Sequence, residues 1–242
     1  MKPVYFISDA HLGIESRAKE EIKRRALLSF FEEVGHRGSA LYILGDLYDF
    51  WFEYGADVSS GDNAVADALA ALVSEGKNVT YVAGNHDYWL GEYWNRRGVR
   101  VSRDPVMAEI QGKTVFMAHG DGLGATEPAY HLVKWLLRNR ATIGLYSRLG
   151  KRMGNGLAVM VSKMSRAKSS KAVPRMTEGL LRYAMTKFKE GCDIVICGHI
   201  HNPTMIVEED RIFCLLGDWM EHFTYARMNG GQLELLSWPV RG

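Results

Sequence analysis

Short apolar runs alternate with polar turns along this chain, at lengths that favour strands separated by helices. The runs at 4–7, 41–44, 79–82, 114–117 and 194–196 are too short for helices and read as strands. Between the first two, Ile22, Ala26, Phe30 and Val34 recur at i+4 spacing. That spacing predicts an amphipathic helix over 17–34, ended by Gly35 and Gly38. A second helix is predicted over 63–74, with Val65, Leu69, Leu72 and Val73 on its apolar side, Ser60 or Asp62 as a cap and Gly76 past its end. The aromatic run Phe50-Trp51-Phe52-Glu53-Tyr54 is too short and too polar-flanked for a helix. Strand–helix–strand–helix–strand order favours a parallel central sheet.

From 99 onward the texture changes to shorter strands, at 100–102, 106–110 and 114–117, with Gln111-Gly112-Lys113 as a hairpin turn. The chain closes in the same style, with strands at 205–208, 211–216, 224–228 and 233–238 and a strong turn at Asn229-Gly230-Gly231. A helix over 177–189, closed by Gly191, precedes them. A second sheet packed on the first, with helices outside, is the simplest arrangement. The expectation is one α/β domain over 1–242.

The segment 128–177 departs from this pattern. It holds 11 basic residues and no Asp or Glu, leaving 19 basic and 28 acidic residues elsewhere. Its charges are interleaved with Leu132, Trp135, Leu136, Val161 and Met164, as in basic amphipathic helices. It reads as a helical cap inserted over the site formed by its neighbours.

Composition otherwise fits a soluble globular protein, at 47% hydrophobic, 24% charged and a formal charge of +2. Cys192, Cys197 and Cys214 show no C-x-x-C spacing and read as reduced core thiols in a reducing compartment. Asp9 and His11 interrupt any apolar leader, so no signal peptide is expected, and no run approaches the roughly 20 apolar residues of a spanning helix. The expected location is cytoplasmic, soluble or peripheral.

The candidate chemistry lies where the strands stop. Each of the five runs ends in residues that bind metals: Asp9-Ala10-His11, Gly45-Asp46-Leu47-Tyr48-Asp49, Gly84-Asn85-His86-Asp87, His119-Gly120-Asp121 and Gly198-His199-Ile200-His201. In an open α/β sheet, ligands bind beyond the carboxyl ends of the strands. Carboxylates, an amide oxygen and imidazoles together suit borderline divalent ions such as Mn²⁺, Fe²⁺ or Zn²⁺. One ion is assigned Asp9, His11 and His201, the other Asn85, His119 and His199, with Asp46 bridging. Spacing leaves open whether His199 and His201 serve one ion or two. Two ions ~3.5–4 Å apart would clamp a phosphoryl oxygen and hold a hydroxide for in-line attack. His86 is surplus to that ligand set and is expected to face the phosphate, stabilising charge or protonating the leaving group. Asp49, Asp87 and Asp121 are cast as acceptors that orient imidazoles or backbone amides, and equally as turn residues. His36, His131 and His222 are given no role. A non-catalytic scaffold need not keep every ligand, so the complete set argues for an enzyme.

These blocks, in this order over nearly the whole chain, resemble the calcineurin-like metallophosphoesterase family, which implies an α/β/β/α sandwich and dinuclear phosphoester hydrolysis. A narrower resemblance, to the UDP-2,3-diacylglucosamine hydrolases of lipid A biosynthesis, rests on 41–48 with Trp51, on Asp87-Tyr88-Trp89-Leu90-Gly91, on His119-Gly120-Asp121 through Tyr130, and on Ser169-Ser170-Lys171. It implies a helical cap at 128–177, Mn²⁺, and water attack on the α-phosphorus that releases UMP and lipid X. It also implies substrate contacts from Asn85, Glu127, Tyr130, Lys171 and His199. Glu127 lies near a position that is usually Asp, and one departure matters more: His86 stands where the narrower family usually has Arg, as in the broad superfamily. That leaves open another phosphodiester or nucleotide pyrophosphate substrate.

The insertion carries a physical expectation of its own. An acyl chain in an apolar groove gains ~0.8 kcal/mol per methylene, and each basic side chain near an anionic leaflet adds ~1 kcal/mol. Such a segment suits a lipid anion and docking on a membrane; the resemblance implies that the partner is a UDP-linked diacylated glucosamine, with peripheral contact to the cytoplasmic leaflet of the inner membrane. Basic segments also serve RNA or nucleotide polyphosphates, but no nucleic-acid partner is expected. A solvated basic face over a packed helical hairpin is the plain alternative.

Overall fold

The computed structural model describes residues 1–54, 57–58, 63–124, 139, 142, 144 and 173–240. In chain order the elements are β1 (Val4–Ile7), α1 (Arg17–Arg37), β2 (Ala40–Leu44), β3 (Glu53–Tyr54), β4 (Asp57–Val58), α2 (Asn63–Ser74), β5 (Asn78–Val82), α3 (Glu92–Asn95), β6 (Arg100–Ser102), β7 (Val106–Ile110) and β8 (Lys113–Ala118). After these come α4 (Val173–Lys189), β9 (Ile194–Cys197), β10 (Thr204–Glu208), β11 (Arg211–Leu215), β12 (Thr224–Asn229) and β13 (Gln232–Ser237).

Two sheets form the body. The first has the order β13-β12-β1-β2-β5-β6 and the second β10-β11-β9-β8-β7, with β3 and β4 as a separate small ribbon. The strands β1, β2, β5 and β6 run parallel, as do β8, β9 and β11. The late strands divide between the sheets: β10 and β11 extend the second, whereas β12 and β13 return to the first, with β12 antiparallel to β1. Strand alternation explains the layers. Val4 and Phe6 of β1 share the inter-sheet core with Met117, Ile194 and Ile196, whereas Tyr5 and Ile7 belong to the helix-side core with Phe30 and Leu69. On the far side of the second sheet, Phe116, Val195 and Phe213 pack with Leu180 and Ala184 of α4. The layering is α/β/β/α.

Three local expectations are corrected. The helix α1 runs through Gly35 to Arg37; at Gly35 a Cβ would lie 3.0 Å from Glu75 Oε2 and 3.4 Å from Leu72 Cδ2, so this glycine allows α1 and α2 to pack closely rather than ending a helix. The buried face of α1 is Lys23, Ala26, Leu27, Phe30, Phe31 and Val34, and Ile22 is 39% exposed. The helix α4 starts at Val173, so the last residues of the 128–177 segment belong to it. The rest of that segment lies outside the described residues, apart from the isolated positions within it, and so do Glu127, Tyr130, His131 and Lys171. As expected, the aromatic run near 51 is not a helix: it is extended chain, with Phe52 bridged to Trp89 and both Trp51 and Phe52 buried.

All three cysteines are buried free thiols. Among the described residues, no helix is long and apolar enough to cross a membrane.

Candidate metal centre

The carboxyl ends of β1, β2, β5, β8 and β9 open on one edge of the sandwich, where their loops are laced together by backbone hydrogen bonds. Asp9 N donates to Gly45 O (3.1 Å), His11 N to Asp46 O (2.9 Å) and Trp219 N to Asp9 O (3.1 Å). The carboxylates act as braces between loops: His199 N donates to Asp9 Oδ2 (2.8 Å) and His86 N to Asp46 Oδ1 (2.8 Å). Asp87 accepts from Leu47 N (2.9 Å), from Gly84 N (2.7 Å) and from the Tyr81 hydroxyl. It therefore orients backbone rather than an imidazole.

The turns needed to aim these side chains are tight. Asp9, His11, Asp46 and His199 all adopt left-handed backbone, at φ 54°, 44°, 53° and 67°. For a residue other than glycine this costs on the order of 1 kcal/mol each and is held only by surrounding structure. Glycines make the room. A Cβ on Gly84 would fall 2.1 Å from Asp46 Oδ1, and one on Gly45, itself at φ 84°, would fall 2.6 Å from His119 Nδ1.

Three groups of donor atoms result, each with all atoms within 4.8 Å of one another: Asp9, His11 and His201; His11, Asp46 and His86; and Asp46, His119 and His199. Asp46 belongs to the last two. Asn85, on the exposed rim, presents Oδ1 3.0 Å from His119 Nε2. The seven sequence candidates for metal ligation thus lie together, and His86 lies with them: its ring centroid is 4.8 Å from that of His11. The geometry places His86 among the possible donors.

Neighbouring groups orient the imidazoles of His11, His86, His119 and His201. Leu44 O lies 2.8 Å from His119 Nδ1, which turns Nε2 toward Asp46 Oδ2 at 3.2 Å. The Asp49 carbonyl lies 2.8 Å from His86 Nδ1, and the Asp49 carboxylate lies 3.4 Å from Nδ1 of both His11 and His86. His201 turns Nε2 toward Asp9 Oδ1 (3.5 Å) and Nδ1 toward Asp218 Oδ2 (4.0 Å). Asp218 is buried, accepts from the backbone N–H of Met220, Glu221 and His222, and pairs with His222 Nδ1 at 3.0 Å. Neither Asp218 nor a role for His222 was among the sequence expectations. The signal was present, because Leu216-Gly217-Asp218 after β11 repeats Leu44-Gly45-Asp46 after β2. Asp121 is buried, and its charge acts on His119.

Electrostatics mark this edge as built for positive charge. Burial opposes protonation of His11, yet contacts to Asp49 and Asp9 and the charge of Asp46 lift its pKa to about 10. His119 reaches about 10 for the same reason, with Asp46 the main partner against burial. Burial and the neighbouring His119 charge push His199 down to about 4. Burial would raise Asp9 and Asp46, but their histidine neighbours hold both below the usual carboxylate range. Asp87 is raised to about 6 by burial and by the Asp46 charge. Asp9 Oδ1 and both ring nitrogens of His11 are buried without a hydrogen-bond partner. Buried, unpartnered donor atoms of imidazole and carboxylate type fit borderline divalent ions.

Comparison with known proteins agrees with this geometry. A family model described as "Calcineurin-like phosphoesterase" matches residues 2–203. A protein named UDP-2,3-diacylglucosamine hydrolase from Porphyromonas gingivalis is 32% identical, over 97% of this chain and 97% of its own length. Proteins of the same name from Aromatoleum aromaticum (32% identical, 93% of this chain, 92% of that protein) and Stenotrophomonas maltophilia (33%, 96% and 98%) are similarly related. With its sheet order, its layered sandwich and this clustered edge, the chain belongs to the calcineurin-like phosphoesterase family of metal-dependent hydrolases.

Proposed function

We propose that the chain hydrolyses the pyrophosphate of UDP-2,3-diacylglucosamine, yielding UMP and lipid X for lipid A biosynthesis. What carries this reading is the meeting of Asp9, His11, Asp46, Asn85, His119, His199 and His201 on one edge. It is supported by end-to-end similarity to hydrolases named for that substrate.

Asp9, His11 and His201 would hold one divalent ion and Asn85, His119 and His199 the other, with Asp46 shared between the two sets and Mn²⁺ the preferred metal. Divalent ions in such a set supply Lewis acidity toward a phosphoryl oxygen and activate water for in-line attack. The chain's own groups do the rest. Asp49 and the Leu44 carbonyl fix the rings of His11 and His119. His86, with Nδ1 tied to the Asp49 carbonyl, directs Nε2 toward the leaving oxygen and delivers its proton there. Asn85 and His199, with Glu127, Tyr130 and Lys171, contact the substrate head group. The segment 128–177 caps the single domain over 1–242, shelters the acyl chains and docks the enzyme on the cytoplasmic leaflet.

The test is release of UMP from UDP-2,3-diacylglucosamine in detergent micelles by pure, metal-loaded protein. No UMP release overturns the substrate assignment. One observation favours a second reading: His86 stands where the narrower family usually has Arg. In that reading the substrate is another phosphodiester or nucleotide pyrophosphate, turned over without dependence on detergent or acyl chains.

A further inference from the structure

The apolar face of α1 is continuous from Ala26 to Val34, and its helical period asks for one more apolar residue at 23. The chain has a lysine there, 1% exposed. Burying an ammonium is costly unless every N–H finds a partner. Here the partners are specific. Lys23 Nζ donates to the backbone carbonyl of His11 at 2.9 Å, pairs with Glu20 Oε1 at 3.0 Å, and lies 3.8 Å from Glu15 Oε2. The same Glu20 carboxylate accepts from Glu15 N at 2.8 Å, so the turn after His11 is tied to the first turn of α1 through this cluster.

The carbonyl that Lys23 grips belongs to the residue with the lowest positive φ among the candidate ligands, 44°. Left-handed backbone at a histidine persists only where its surroundings hold it. The neighbouring backbone is held from the opposite side by the loop after β2, through His11 N to Asp46 O and Leu12 N to Leu47 O, both 2.9 Å. Lys23 supplies the hold from the α1 side. We infer that Lys23 is a positioning residue: its ammonium locks the His11 peptide so that the imidazole meets Asp9 and His201, and it acts on that donor set rather than on the set built around His119 and His199. This rests on the dinuclear metal reading above. Because a cation repels other cations, the contribution is one of geometry.

The test uses the full chain, stripped of metal by chelation and titrated with Mn²⁺, with Lys23→Met (similar volume, no donor) and Lys23→Arg (donor and charge kept). Wild type should bind two ions and show the exchange-coupled spectrum of a Mn²⁺ pair. Lys23→Met should weaken one binding step by about 10–100-fold, leave the other unchanged, and give an uncoupled Mn²⁺ spectrum at sub-saturating metal. Its kcat should fall while KM stays the same, and Lys23→Arg should restore the coupled spectrum. The proposal is overturned if Lys23→Met keeps both steps and the coupling, or if both steps weaken together with the melting temperature of the metal-free protein. Should Lys23→Met fail to fold, Lys23→Gln, whose donor is one bond shorter in reach and uncharged, takes its place: a folded Lys23→Gln that keeps both binding steps and the coupled spectrum also overturns it. Wild type that binds no pair of ions overturns the metal reading itself, a result separate from any difference between variants.

Discussion

The two donor sets contain similar side chains but are held by different means. The Asp9, His11 and His201 set is steadied by charged groups: Asp49 lies 3.4 Å from His11, Asp218 lies 4.0 Å from His201, and Lys23 lies behind the His11 carbonyl. The His119 and His199 set leans on backbone and packing, with the Leu44 carbonyl 2.8 Å from His119 and no room for a side chain at Gly45. Neutralising Asp49 or Asp218 should therefore disturb the first set and spare the second, whereas added bulk at Gly45 should disturb the second. The difference shows that ligand identity alone does not describe such a centre. What differs is which part of the molecule, side-chain charge or main chain, bears the cost of orientation.

The most severe way to break the comparison is to remove the member common to both halves. Asp46→Ala should lose both ions, and turnover should fall by at least about 10³-fold; metal analysis of the purified variant checks this, and two retained ions would refute the bridging assignment. Next is His86→Ala, expected to lower kcat by about 10²–10⁴-fold with metal content unchanged. If an ion is lost instead, His86 is a ligand, as its grouping with His11 and Asp46 allows. Asp49→Asn should weaken metal binding by about 10–100-fold in one titration step only. Equal weakening of both steps would erase the distinction between the halves.

The smallest effect is on protons. His11 and His119 sit at about 10, one in each set, whereas His199 at about 4 is already neutral at pH 7. Ligation requires neutral imidazole, so loading both ions at pH 7 should release about two protons, measurable as buffer-dependent heats of binding. The same shifts fix the stability of the ion-free protein. The two raised histidines contribute fully below 6.5, and their contribution disappears as pH rises through about 10. The lowered carboxyls of Asp9 and Asp46 contribute above 3.8, and that contribution is lost as pH falls. His199, lowered to about 4, loses its contribution as pH falls below 6.5. Asp87, raised to about 6, loses its own as pH rises above 3.8, so these two oppose each other. With chelator present, the melting temperature should peak between roughly pH 4 and 6.5. A melting temperature that rises steadily to pH 10 would contradict this.

Much of this centre could be read from the chain because strand alternation and strand length are strong signals, and metal-type residues seldom fall at five strand ends by chance. Asp218 was harder to see because the histidine near it, His222, lies four residues on rather than two and reads as a surface or packing residue. Lys23 was illegible for a different reason. An i+4 ladder from Ile22 drifts off a 3.6-residue period, and a lysine is ordinarily assigned to water until a buried carbonyl is found opposite it. The division of the last four strands between the sheets depends on long-range pairing, such as Val4 with Met228, which no local pattern encodes.

The donor residues come from both sheets: Asp9 and His11 follow β1, Asp46 follows β2, and His119, His199 and His201 follow β8 and β9. Each set therefore draws donors from both sheets, so the span within each set is governed by how far apart the sheets stand, and so by the girth of Phe6, Leu44, Val82, Met117 and Ile196 between them. That apolar filling works as a shim. Trimming Ile196 to valine, which alters no charge, should change how closely the donors of each set approach one another before it measurably alters the fold.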